Sequence, residues 1–212
     1  MTTARTHRRD GEATRERLLR AALELYGASS FLSTTTPALA ERAGVAEGTI
    51  YRHFTSKEHL LNEAYRRAHR WAVGILQGFD SDRLHRGPER LAMLGRTLTD
   101  TAAADPPIVR MLFSTAHEPF LDQQSRALRR EFVDGLVQLV AMGKSDGQVR
   151  PGPAELWASV WLAIVGYAVE RVASGEWTAE SAPMSMALES AWDAIAAKPA
   201  TGVGGQLLRG EG

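Results

Sequence analysis

The chain has 212 residues, with 25 Lys/Arg balancing 25 Asp/Glu and no cysteine. That length suits one large domain or a small domain fused to a medium one, and 44% apolar residues is too many for a disordered chain. The missing thiols exclude disulfide scaffolds, Cys-ligated zinc, iron–sulfur clusters and thiol catalysis, while residues 1–70, with 12 Lys/Arg against 8 Asp/Glu, point to an anionic partner at one end.

In chain order, residues 1–12, with Arg5, His7, Arg8 and Arg9, read as a flexible arm. Helix 1 is expected over 12–28, helix 2 over 36–43 and helix 3 over 47–53. Helix 4 should run from Ser56 to Gln77, with Thr55-Ser-Lys-Glu58 in capping-box form at its start. After a break at Gly78–Gly87, Pro88 opens helix 5, to Ala104, and Pro106-Pro107 opens helix 6, to His117. Helix 7 is expected from Phe120 to Met142, helix 8 over 154–174 and helix 9 over 182–197. The glycine-rich segment 198–212 reads as a disordered tail. Strand signals are nearly absent, so the fold class is all-α.

Helix 8 differs from the others. From Leu156 to Val169, only Ser159, Gly166 and Tyr167 interrupt apolar residues. A helix apolar all round must be covered all round. The run is shorter than the roughly 20 residues of a bilayer span, and the N-terminus carries no secretory apolar core. The expectation is a cytoplasmic protein without membrane partners, in which a second subunit covers helix 8 and charge at Trp161 or Val165 would harm dimerisation or folding.

The chemistry concentrates in 31–61. Leu39, Ala40 and Ala43 form the inner face of helix 2; Val45, Ile50 and Phe54 form that of helix 3, with Gly44 in the turn. This is a helix-turn-helix pattern. With Ile50 inward, Gly48 and Arg52 lie opposite, and Thr49 and Tyr51 occupy the shoulders. Seven residues make a rod of about 10 Å, which fits a major groove about 12 Å wide. Gly48 allows close backbone approach; Thr49 and Tyr51 suit phosphate oxygens and thymine methyls. Thr35 as helix-2 N-cap, Thr36 behind it, Lys57 at the start of helix 4 and His53 at the end of helix 3 are candidate phosphate contacts. Arg52 could reach a guanine edge or a phosphate. Glu47 either accepts from cytosine or repels phosphate.

The segment closely resembles the DNA-binding domain of the TetR family of one-component transcriptional regulators. The resemblance rests on Phe31, Thr34, Thr35, Leu39, Ala40, Ala43, Gly44, Val45, Gly48, Thr49, Ile50, Tyr51, His53, Phe54, Ser56, Lys57, Glu58 and Leu60. Ser30 stands where the family has Gly, and Ala46 replaces a capping Ser or Thr. The resemblance implies a helix-turn-helix DNA-binding domain over 13–71 and an effector-binding and dimerisation domain over 72–197. It further implies a homodimer joined by the last two helices on a palindromic double-stranded operator, and repression relieved by a small hydrophobic or aromatic effector. Candidate effector contacts are Trp71, Met93, Met111, Phe113, His117, Phe120, Trp157 and Trp161.

Catalytic, metal and cofactor readings find no support. No two histidines sit at i, i+3 or i, i+4, and no GxSxG, P-loop or HExxH occurs. The competing view is an α-helical ligand-binding or enzymatic bundle with a vestigial DNA-binding motif.

Overall fold

Local signals set the helix ends. The computed structural model describes residues 2–79 and 86–198, with side chains from residue 10 onward. The elements are α1 (Thr2–Ala28), α2 (Thr36–Ala43), α3 (Glu47–His53), α4 (Lys57–Gly78), α5 (Gly87–Ala104), α6 (Pro106–Phe113), a 3-10 turn (Glu118–Phe120), α7 (Gln123–Ser145), α8 (Ala154–Ala173) and α9 (Ala182–Asp193). Among the described residues the one β feature is a bridge between Val149 and Ala196.

Several boundaries differ from the sequence expectation. The expected arm is helical from Thr2: the stretch holds no proline, and one glycine inside a helix, Gly11, costs only about 1 kcal/mol. The expected tail lies, from residue 199 on, outside the described residues. The helix-4 cap is Ser56, which accepts from the His59 amide, and His59 Nδ1 in turn accepts from the Thr55 amide at 3.1 Å. The helix therefore starts one residue later than the Thr55/Glu58 reading, with His59 reaching back to the residue before the cap. α6 stops at Phe113 because Ser114 turns extended, which lets His117 drop into the core. α7 starts after Asp122, whose carboxylate accepts from the Ser125 amide at 2.8 Å.

α1 packs on α2, α4 and α6, while α4 also packs on α7, and α8 lies against α5, α6, α7 and α9. α4 is continuous through residue 71. Its first turns close the helix-turn-helix core with Leu60, Leu61 and Ala64, and its later turns bury Ala72, Val73 and Leu76 against the body.

α8 is long and apolar enough to cross a membrane by length and composition alone. Trp161, Val165, Ala168, Val169 and Val172 face the protein core, while Leu156 and Tyr167 remain 49% and 52% exposed. Charge at Trp161 or Val165 would therefore attack this chain's own core. The exposed stripe of α8 is formed by Leu156, Ala163 and Tyr167.

Candidate DNA-reading head and effector groove

The turn between α2 and α3 is fixed by backbone chemistry. Gly44 is left-handed at φ 64°, ψ 42°. The Gly44 amide donates to the Glu41 carbonyl and the Val45 amide to the Ala40 carbonyl, each at 3.0 Å. This double closure satisfies the carbonyls at the end of α2. Arg17 of α1 donates to the Ala43 and Gly44 carbonyls at 3.4 Å and so ties the turn down.

Within α3, Ile50 is buried, and Phe54, just after the helix, is buried too. Their anchorage turns Glu47, Gly48, Tyr51 and Arg52 to solvent, with Tyr51 55% exposed. A Cβ placed on Gly48 would meet nothing within 4 Å, so this flank of the rod is open to an approaching surface. Thr49 and His53 are half-buried on the shoulders. Thr35 is the α2 N-cap, its hydroxyl oxygen accepting from the Ala38 amide at 3.3 Å, and Thr36 follows as the first helical residue. Ala46 caps α3 without a side-chain hydrogen bond.

Lys57 is engaged differently from the sequence expectation. Its Nζ donates to the Phe31 carbonyl at 2.6 Å and lies 4.1 Å from the centre of the Phe31 ring. The ammonium thus clasps the α1–α2 loop to the start of α4. A free phosphate clamp would have to give up both contacts.

The head is welded to the body through α4. Arg66, almost wholly buried, donates to Asp122 and Glu63 at 2.7 Å and to Ser125 at 3.2 Å. Asn62 donates to the Phe120 carbonyl at 3.0 Å and accepts from the Asp122 amide at 2.8 Å. For Glu63 and Asp122, burial pushes the carboxyl up, but hydrogen bonds and the Arg66 charge outweigh it and hold both low.

The eight expected effector contacts do not converge on one cavity. His117 is fully buried and hydrogen-bonded through Nε2 to the Tyr26 carbonyl at 2.9 Å; burial lowers its pKa. Phe120 packs on Phe31 with the rings tilted and their centres 4.4 Å apart. Both therefore belong to the joint between α1 and the body. Met111 is buried in α6, and Trp71 packs half-buried against the core. Met93 points outward, 38% exposed. Phe113 lies over Gly166, where a Cβ would sit 2.9 Å from its ring. Trp157 donates to the Pro151 carbonyl at 3.2 Å and covers Gly152. Of the eight, Trp161 lines a groove of about 590 Å³ between α5, α8 and α9, and Phe120 lines a separate, more open one of about 570 Å³ beside the start of α4. Sequence reasoning missed the other walls of the Trp161 groove, notably Leu91, Met184, Leu188 and Trp192. A signal existed: Met184, Leu188 and Trp192 recur at helical spacing on helix 9.

The sequence model of bacterial regulatory proteins of the tetR family matches residues 18–64. An uncharacterized HTH-type transcriptional regulator of Bacillus subtilis (strain 168), YvkB, is 30% identical over 170 residues, covering 77% of this chain and 85% of that protein. The chain belongs to the TetR family of transcriptional regulators. The HTH-type transcriptional repressor KstR of Rhodococcus jostii (strain RHA1) is 47% identical over 53 residues, a quarter of each chain. A crystal structure of a TetR family transcription regulator from Marinobacter aquaeolei VT8 shares the fold, with TM-score 0.73 and 22% identity over 90% of this chain and all of that one.

Proposed function

We propose that this TetR-family chain is a cytoplasmic, homodimeric repressor that reads a palindromic operator and is released from it by a small molecule. The units are a reading head, residues 13–71, and an effector and dimer body, residues 72–197, which share α4. One observation carries the reading: Ile50 and Phe54 are buried while Gly48, Tyr51 and Arg52 stand open on the opposite side of the α3 rod. Likeness to KstR, a transcriptional repressor, at 47% identity over a quarter of this chain, supports repression as the sign of control.

The rod enters the major groove, with Thr49 and Tyr51 on its shoulders, Gly48 allowing close approach and Arg52 reaching a base edge or phosphate. Thr35, Thr36 and His53 contact flanking phosphates, and Glu47 faces the same surface. Two heads must sit about 34–36 Å apart to meet successive major grooves. The exposed α8 stripe of Leu156, Ala163 and Tyr167, with Met186 at 64% exposure on α9, supports pairing through α8 and α9. Effector binding would shift α4, which carries the head and is fastened to the body by Arg66 and Asn62, and so change the head separation. By linkage, DNA weakens effector binding by the same factor.

The test is a gel shift and footprint on the gene's own upstream DNA, titrated with salt. A palindromic footprint and a steep negative slope of log affinity against log salt are expected. Tyr51→Ala should weaken binding roughly 10- to 100-fold, the scale of a good base contact, with the dimer intact. Absence of any specific footprint would sink the reading in favour of a bundle with a vestigial head. Leu156→Glu should yield folded monomer in analytical ultracentrifugation.

A further inference from the structure

The groove between α5, α8 and α9 has an aromatic and aliphatic floor. Leu91 comes from α5, Trp161 from α8, and Met184, Leu188 and Trp192 from α9. Its volume of about 590 Å³ suits a drug-sized ligand. Gly95 lets Leu188 and Trp161 pack closely on α5 at the floor: a Cβ there would lie 3.2 Å from Leu188 Cδ2 and 3.5 Å from Trp161 Cζ2.

The polar residues stand on both walls. α5 presents Arg96 and Asp100, one turn apart, and α9 presents Ser185 and Glu189, likewise one turn apart. Among the described residues, Asp100 and Glu189 make no ion pair or side-chain hydrogen bond, and neither does the Arg96 guanidinium. Two unpaired carboxylates against one guanidinium leave the rim with net negative charge above two indoles, whose faces attract cations. By contrast, the groove of about 440 Å³ between α4 and α7 has no aromatic residue in its walls and mixes Arg90 and Arg130 with Glu131 and Asp134.

The dimer proposed above does not occupy this groove. Trp161 lies about 200° around α8 from Ala163, and Leu188 about 200° around α9 from Met186. The outward stripes and the groove floor therefore use opposite faces of the same two helices, with Glu189, about 60° around α9 from Met186, on the rim between them.

We infer that the α5/α8/α9 groove is the effector site of this chain and that its effectors are organic cations with an aromatic body, the charge held between Asp100 and Glu189 and the rings laid on Trp161 and Trp192. The effector role rests on the regulator reading above; the binding preference does not.

Tetraphenylphosphonium and tetraphenylborate, alike in shape and opposite in charge, test it by calorimetric titration of the full chain. The phosphonium should bind at least tenfold tighter than the borate. Asp100→Asn with Glu189→Gln should weaken the phosphonium at least tenfold and erase the preference, and Arg96→Gln should tighten it severalfold. These are exposed positions, so the variants should fold, which circular dichroism checks. Equal or tighter borate binding, or phosphonium binding indifferent to the carboxylates, overturns the inference. Gel shifts read release separately: phosphonium bound in the groove without operator release overturns the effector role. If the untreated protein never binds its operator, the regulator reading fails while the titrations still decide the ligand class.

Discussion

In the reading head, all the outward residues of the rod lie between Glu47 and His53, one short helix. In the groove, Leu91, Trp161 and Leu188 meet across three helices, two of them toward the end of the chain and far in sequence from the first. A seven-residue helix has little stability of its own, so the head depends on its inward anchor and its turn. The groove depends instead on where α5, α8 and α9 come to rest, which no one of them specifies. One surface is written locally; the other is a product of packing.

Three measurements break or sharpen this contrast. The largest effect should come from Ile50→Ala. Truncating a fully buried Ile costs about 2–5 kcal/mol, and the cost falls on the head. Thermal unfolding should then show the head melting before the body, with operator binding lost and phosphonium binding kept. A single unshifted transition would mean that Ile50 is not the anchor.

Next is acid stability, which concerns the body. His69 is buried, stacked on Tyr65 at 4.0 Å between ring centres, with Nδ1 donating to the Tyr65 carbonyl at 3.1 Å. Phe132 meets it edge-on. Burial first, and the Arg129 charge to a smaller extent, push its pKa down to about 4, against the pull of the Tyr65 carbonyl. The unfolded chain takes up this proton near pH 6.5, before the folded chain does. Stability is therefore full above about pH 6.5 and falls as pH drops toward 4, by up to about 3 kcal/mol. His69→Gln should flatten denaturation midpoints across that window. An unchanged slope would exclude His69 as the cause.

The smallest effect should come from Lys57→Ala, which removes a hydrogen bond and a cation–π contact to Phe31, worth about 1–2 kcal/mol together. The melting temperature should fall while the salt slope of operator binding stays the same. A slope reduced by about 1 would restore Lys57 as a phosphate contact.

The head was readable because each of its devices is a short-range one. Thr35 caps α2, Gly44 takes the left-handed turn, and Ile50 and Phe54 repeat at helical spacing. The engagement of Lys57 is not legible locally, because its partner, the Phe31 carbonyl, lies 26 positions away. His117 and Phe120 looked like pocket residues by type; the fold uses them to join the body to Tyr26 and Phe31. A list of large side chains gives hydrophobic content but not direction. On α8, apolar on nearly every side, no periodicity told Trp161 from Ala163.

The residues alone determined the helical class, the helix-turn-helix and the outward face of α3, because caps, turns and 3.6-residue periodicity act within a few positions. The tertiary structure alone decided which aromatics share a cavity, which stripe of α8 stays uncovered, and how Arg66 fastens the head to Asp122 and Ser125. Those outcomes depend on how whole helices pack, and packing joins residues that the chain keeps far apart.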